Sequence, residues 1–202
     1  MSGLAEVGAV EVDIRLSMDG RLVLSHDRLL GDLDIGASRW DEIADFDLGH
    51  GHLPCQLDDV LALGGKLDLE VKNAPWEAGF DPHGRLALLV ASRAGPEDVV
   101  TGFYWPDMDL IRAMAPQVST GLLVGRDGSA FDALRHAVEA GHRMVAPHHA
   151  LVDRELSRAA ADEGVALMAW TVNSADRALE LSLLDVAAII SDHPALIERA
   201  LG

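Results

Sequence analysis

The sequence predicts an α/β protein of the (β/α)₈-barrel type that lacks one βα unit. Three observations predict it. Strand and helix patterns alternate from residue 66 to the end, joined by short connections. The later strand segments are nearly all apolar, as parallel strands buried on both faces are. Polar residues collect where strands end, at Glu11/Asp13, Glu70/Lys72, Pro147-His148, Trp170/Thr171/Asn173 and Ser191-Asp192. Barrels of this kind assemble their sites from the C-terminal ends of several strands, whereas a doubly wound open sheet, the alternative, gathers polar groups at one crevice.

The elements follow in order. Residues 1–7 read as the tail of a helix. A strand over 9–15 ends at Ser17-Met18-Asp19-Gly20, a hairpin turn signal. Arg21 to Ser25 is a short second strand that delivers His26-Asp27. Residues 28–53 are rich in Asp and Gly with little period, an excursion holding one helical turn near Trp40 to Ile43. Leu57 to Leu63 has helical spacing and stops at Gly64-Gly65. Lys66 to Lys72 alternates, with Leu67, Leu69 and Val71 on one face and Asp68, Glu70 and Lys72 on the other. Strands are then expected near 98–104, 120–124, 143–147, 165–172 and 187–191. Helices are expected over 84–93, 107–115 and 130–140, from the Asp153 cap to about 163, from the Ser174 cap to about 184, and over 194–201 with Pro194 in its first turn. Asp192, just ahead of Pro194, is expected to cap that last helix. Seven main strands result, and no linker or low-complexity segment divides them, so residues 1–202 read as one domain.

Composition narrows the partners. A net charge of −17 repels phosphate backbones and excludes nucleic acid as a partner. Hydrophobic residues make up 49%, yet no apolar run approaches the roughly 20 residues of a membrane span. The one cysteine, Cys55, cannot form an internal disulfide and fits a reducing, cytoplasmic setting. Lysine occurs only at 66 and 72, which makes the place of each worth noting.

Glu11 and Asp13 stand two apart on an apolar strand, so both project to one face. Two carboxylates on a buried face repel, and a divalent cation with oxygen ligands offsets that cost. A solvent-facing pair on an edge strand is the alternative. Glu70 adds a third carboxylate. Three carboxylates without a neighbouring Cys or His suit Mg²⁺ or Ca²⁺ rather than Zn²⁺. Lys72, on the face of Glu70, can meet a phosphate oxygen or form an ion pair with Glu70 or Asp68. His26 can act as a general acid or base. His50-Gly51-His52 reads as a solvated loop, and His148 as a polar residue at a strand end.

Together, Val10-Glu11-Val12-Asp13-Ile14-Arg15, Met18-Asp19-Gly20 and Leu24-Ser25-His26-Asp27 resemble the glycerophosphodiester phosphodiesterase family. So do Leu53-Pro54-Cys55-Gln56-Leu57-Asp58-Asp59-Val60-Leu61, Leu69-Glu70-Val71-Lys72, Ala169-Trp170-Thr171-Val172-Asn173 and Ile189-Ile190-Ser191-Asp192-His193-Pro194. The resemblance runs from residue 9 to the C-terminus. It implies a TIM barrel that hydrolyses a small-molecule substrate, a glycerophosphodiester, to glycerol 3-phosphate and an alcohol with a divalent metal. It implies Glu11, Asp13 and Glu70 as metal ligands, His26 as a catalytic histidine, Lys72 as a phosphate contact and Trp170 as an aromatic wall of the substrate pocket. The family's opening strand, ending in His-Arg-Gly, has no counterpart: Met1 to Gly8 matches only the end of the first helix. The sequence is therefore expected to start late relative to the family and to lack a catalytic histidine and a phosphate-binding arginine. A catalytically inactive relic that keeps the metal site is the alternative.

Overall fold

The computed structural model describes residues 8–202, so the helix tail expected over 1–7 lies outside the described residues. The described chain gathers into two compact units, one spanning Ala9–Val118 and one built on Ser119–Gly202.

The first unit holds β1 (Ala9–Leu16), β2 (Leu22–Leu24), β3 (Leu29–Leu30), β4 (Leu33–Asp34), α1 (Trp40–Ile43), α2 (Leu57–Leu61), β5 (Lys66–Val71), α3 (Arg85–Ala91), β6 (Val99–Gly102) and α4 (Trp105–Met114). Its strand order is β6-β5-β1-β2. β5 is parallel to both β1 and β6, and β2 returns antiparallel to β1. The hairpin is made by Gly20 at φ +84°, whose N–H donates to Ser17 O at 2.9 Å. A side chain there would also strike the Arg85 guanidinium, 2.5 Å from where its Cβ would lie. The guanidinium is the far end of a flexible side chain and can move aside, so glycine is needed here for its backbone angle. β5 is buried on both faces beyond Lys66, so its polar face is interior as well.

The stretch 28–53 is more ordered than its composition suggests. The helical turn is α1, as expected, but β3, β4 and a 3₁₀ turn at Ile35–Ala37 precede it. They wrap a satellite core of Val23, Leu30, Ile35 and Ile43, against which Leu33, Trp40 and Phe46 pack. Two-residue strands leave no period in a sequence, which is why the stretch reads as irregular.

The second unit repeats a strand–helix pattern four times: β7 (Ser119–Val124), α5 (Ala130–Ala140), β8 (Met144–Pro147), α6 (Arg154–Asp162), β9 (Ala166–Ala169), α7 (Ala175–Ser182), β10 (Ala188–Ile189) and α8 (Pro194–Leu201). The strands are parallel in the order β7-β8-β9-β10. Ser129, Asp153 and Ser174 cap α5, α6 and α7 by accepting backbone N–H groups of Asp132, Leu156 and Arg177. Asp192 does not cap α8. Its Oδ2 accepts from Asn173 Nδ2 at 2.7 Å, and His193 stands at the cap position without a side-chain cap bond. Pro194 suits the first turn because its missing N–H is an orphan there anyway, and the Asp192 carboxylate instead ties the segments after β9 and β10 together. Among the described residues no helix is long and apolar enough to cross a membrane.

Candidate active site

β1 and β5 lie side by side with Glu11 opposite Asp68 and Asp13 opposite Glu70. Because strand side chains alternate, Glu11, Asp13 and Arg15 share one face of β1, while Asp68, Glu70 and Lys72 share one face of β5. The opposite parity supplies buried Ile14, Leu67, Leu69 and Val71. The apolar half of each strand thus fixes the register, and the register sets the acids together.

Carboxylate oxygens of Glu11, Asp13 and Glu70 all lie within 4.8 Å of one another. Lys72 Nζ reaches Asp13 Oδ1 at 2.8 Å and Glu70 Oε1 at 2.6 Å. Asp68 is buried beneath them and accepts from Thr101 Oγ1 at 2.7 Å. Four acids therefore face one ammonium. Burial, then the charges of Asp13, Glu70 and Asp68, push the Glu11 carboxyl up to about 8. Burial pushes Asp68 up to about 7 against the help of Thr101. Burial also raises Glu70, with Lys72 opposing it. Burial alone would lower the Lys72 ammonium, but Glu70 and Asp13 outweigh it and raise it.

This donor set fits a hard divalent cation. Glu11 Oε1 is buried with no hydrogen-bond partner among the described residues, an acceptor that wants a positive charge. Three convergent carboxylate oxygens are the ligands such an ion takes.

His26 follows β2. Ser25 N–H donates to Asp13 O at 3.0 Å, which hangs the histidine loop from the acid strand. The ring is 75% exposed, with Nδ1 2.9 Å from Asp27 Oδ1. Arg15, His26, Glu70, Lys72, Trp76 and Phe103 contribute to the lining of one cavity of about 200 Å³. Of the sequence-predicted residues, Glu11, Asp13, Glu70 and Lys72 come together, and His26 shares the cavity of the last two. Trp170 belongs to the second unit, half-buried, its Nε1 donating to Ala146 O at 2.7 Å and its ring edge-on to His148. His50 and His52 are exposed. Two residues of this site were given no role from sequence beyond an ion pair of Asp68 with Lys72. Asp68 shares parity with Glu70, and Arg15 shares parity with Asp13; that parity was the available signal.

The described chain is thus an α/β fold with three convergent carboxylates beside a lysine, and comparison with known proteins places it in a family. Residues 4–196 match the glycerophosphoryl diester phosphodiesterase family. The chain belongs to that family. It is 27% identical to a glycerophosphodiester phosphodiesterase of Arabidopsis thaliana over 96% of its own length, and it spans 64% of the length of that curated relative. Among solved structures, it resembles a glycerophosphodiester phosphodiesterase of Parabacteroides distasonis at TM-score 0.81 and 19% identity, over 96% of this chain and 83% of that one. It also resembles an Oleispira antarctica phosphodiesterase, solved with its product sn-glycerol-3-phosphate, at TM-score 0.83 and 20% identity, over 98% and 86%. A Silicibacter pomeroyi structure placed under glycerophosphoryl diester phosphodiesterase gives TM-score 0.85 and 22% identity, over 96% and 83%. These likenesses show the fold class, α/β of the TIM-barrel type.

Proposed function

We propose that this chain hydrolyses glycerophosphodiesters to glycerol 3-phosphate and an alcohol, with Mg²⁺ or Ca²⁺ held by Glu11, Asp13 and Glu70. The observation that carries this reading is the convergence of three carboxylates beside Lys72, at the edge of a cavity that also holds His26. When bound, the cation supplies electrostatic polarisation of the phosphoryl oxygens and offsets charge that builds in the transition state. Lys72, already held between Asp13 and Glu70, presents a fixed ammonium to a phosphate oxygen. As the phosphorus–oxygen bond to the alcohol breaks, the leaving oxygen keeps the electron pair and takes a proton from His26. Asp27 at Nδ1 leaves Nε2 as the atom that gives it. Water supplies the hydroxyl that completes the phosphate, its remaining proton passes to solvent, and His26 regains a proton from solvent.

Choline release from glycerophosphocholine tests the reading. Turnover with added Mg²⁺ or Ca²⁺, its loss with a chelator, and its loss in His26→Ala are the expected results. No turnover with either ion would refute it and favour a binding relic that keeps the metal site.

A further inference from the structure

Arg15 has no part in the mechanism above, yet it is the most constrained cation near the cavity. It is 8% exposed and one β1 step beyond Asp13 on the same face. Its Nε and Nη2 both donate to the backbone carbonyl of His26, at 3.1 and 2.7 Å. Its Nη1 donates to Glu77 Oε2 at 2.8 Å. Glu77 stands in the loop that leaves β5, five residues past Lys72. That loop is itself pinned: Asn73 Nδ2 donates to Asp81 O at 2.9 Å and to Asp107 Oδ2 at 2.7 Å, and Asp81 N–H donates back to Asn73 Oδ1 at 2.9 Å.

The histidine, by contrast, has a ring in solvent. The Asp27 carboxylate at its Nδ1 is 80% exposed. An ion pair between two exposed groups fixes little. What can hold the ring over the acid cluster is the backbone beneath it, and a planar fork closing on one carbonyl from a buried strand position is a stiff support.

The geometry points to Arg15 as a positioning residue for His26, clamping its carbonyl and taking its own orientation from Glu77 on the anchored β5 loop. This rests on the reading of His26 as proton donor. The strand that supplies Glu11 and Asp13 then also sets the distance between those carboxylates and the histidine. An arginine is required because one side chain must bond the carbonyl twice and the Glu77 carboxylate once.

The test compares two esters that differ in their need for a proton. Glycerophosphocholine expels an alkoxide, which must be protonated as it leaves. Bis(p-nitrophenyl) phosphate expels a phenolate that is stable without a proton. For Arg15→Gln the expected result is a kcat about 100-fold lower on glycerophosphocholine, the size of loss that misplacing a reacting group produces. KM stays within about twofold and the loss on the nitrophenyl ester is below about threefold, as removal of general-acid help alone requires. Mn²⁺ binding stays near wild type, which shows that the carboxylates are still in place. Arg15→Lys, which keeps one donor, recovers part of the rate. Equal losses on both esters, or no loss on either, overturn the proposal.

If the wild-type chain turns over neither ester, the phosphodiesterase reading fails, and the clamp is judged by the ring proton signals of His26, assigned by their loss in His26→Ala. One narrow set in the wild type and broadened or multiple sets in Arg15→Gln support the clamp. The same narrow set in both overturns it.

Discussion

Replacing Lys72 by methionine removes the positive charge between Asp13 and Glu70 while keeping a side chain of similar length. The ammonium is 13% exposed and its two partners are 19% and 11% exposed, so solvent screens the loss poorly. Taking one partner from such a buried arrangement costs about 3–5 kcal/mol, because the remaining charge is left uncompensated. The lower end applies here, since Glu11, raised to about 8, can take up a proton and offset part of the lost charge. In a chelator at pH 8, Lys72→Met is therefore expected to lose about 3 kcal/mol in urea unfolding. A divalent cation at about 100 times its Kd stabilises the folded wild type by about 2.7 kcal/mol. The variant should gain more than that, because the ion then also replaces the lost ammonium. The gap between the two proteins narrows to roughly 1 kcal/mol with metal present. Equal losses with and without metal would show that Lys72 does not balance the ligand carboxylates. No stabilisation of the wild type by Mg²⁺ or Ca²⁺ would show that those carboxylates are not a cation site.

Three further outcomes follow from the same cluster. Glu11 rises from 4.5 to about 8 and Asp68 from 3.8 to about 7, so between those values the folded chain holds protons that the unfolded chain releases. In a chelator this pair's contribution to the thermal midpoint should therefore be fullest below about pH 3.8, fall as pH rises toward 8, and lose that slope when Mg²⁺ or Ca²⁺ is added; a midpoint that climbs between pH 5 and 8 in chelator contradicts the assignment. Asp68→Asn keeps an acceptor for Thr101 Oγ1 and deletes one buried charge, so metal-free stability at pH 8 should rise by about 1 kcal/mol, with metal affinity within about threefold of wild type by calorimetry. His26→Gln alters an exposed ring, so stability should move by less than about 0.5 kcal/mol while kcat on glycerophosphocholine falls by about 10² to 10⁴, and a large stability change would mean the ring is structural.

The site was legible in sequence where strand parity carries it. Glu11 and Asp13, two apart, and Glu70 and Lys72, two apart, sit on matching faces because the apolar residues between them demand burial. The seven main strands and the caps at Asp153 and Ser174 were legible for the same local reasons. What the sequence hid was pairing across strands. Asp68 looks like one more polar residue of an alternating strand until β5 is set against β1, where it stands opposite Glu11. Arg15 looks like a strand-end arginine until the hairpin folds His26 back over it. Asp192 was misjudged because its competing partner, Asn173, is 19 residues away, and no local rule weighs a distant amide against a nearby helix end. The core of 28–53 was hidden because Leu30, Ile35 and Ile43 meet only after two tiny strands have formed.

Strand geometry also explains why charge balance and positioning come from so few residues. Along β1 the same-face series Glu11, Asp13, Arg15 advances about 7 Å per step. The first step offers an unpartnered acceptor, the second a carboxylate shared with Lys72, and the third a cation that grips the histidine loop. Along β5 the series Asp68, Glu70, Lys72 runs in parallel, one level matched to the next. In both series the acids precede the cation, with Glu77 on the loop that leaves β5 and His26 on the loop that leaves β2 alongside Asp13. A register slip of one residue would turn Glu11, Asp13 and Arg15 into the apolar layer and bring Val12 and Ile14 to the cavity, so the site cannot be lost piecemeal by sliding. The burial of Ile14, Leu67, Leu69 and Val71 that forbids the slip is therefore what holds the acids at ligand distance and the arginine beneath the histidine.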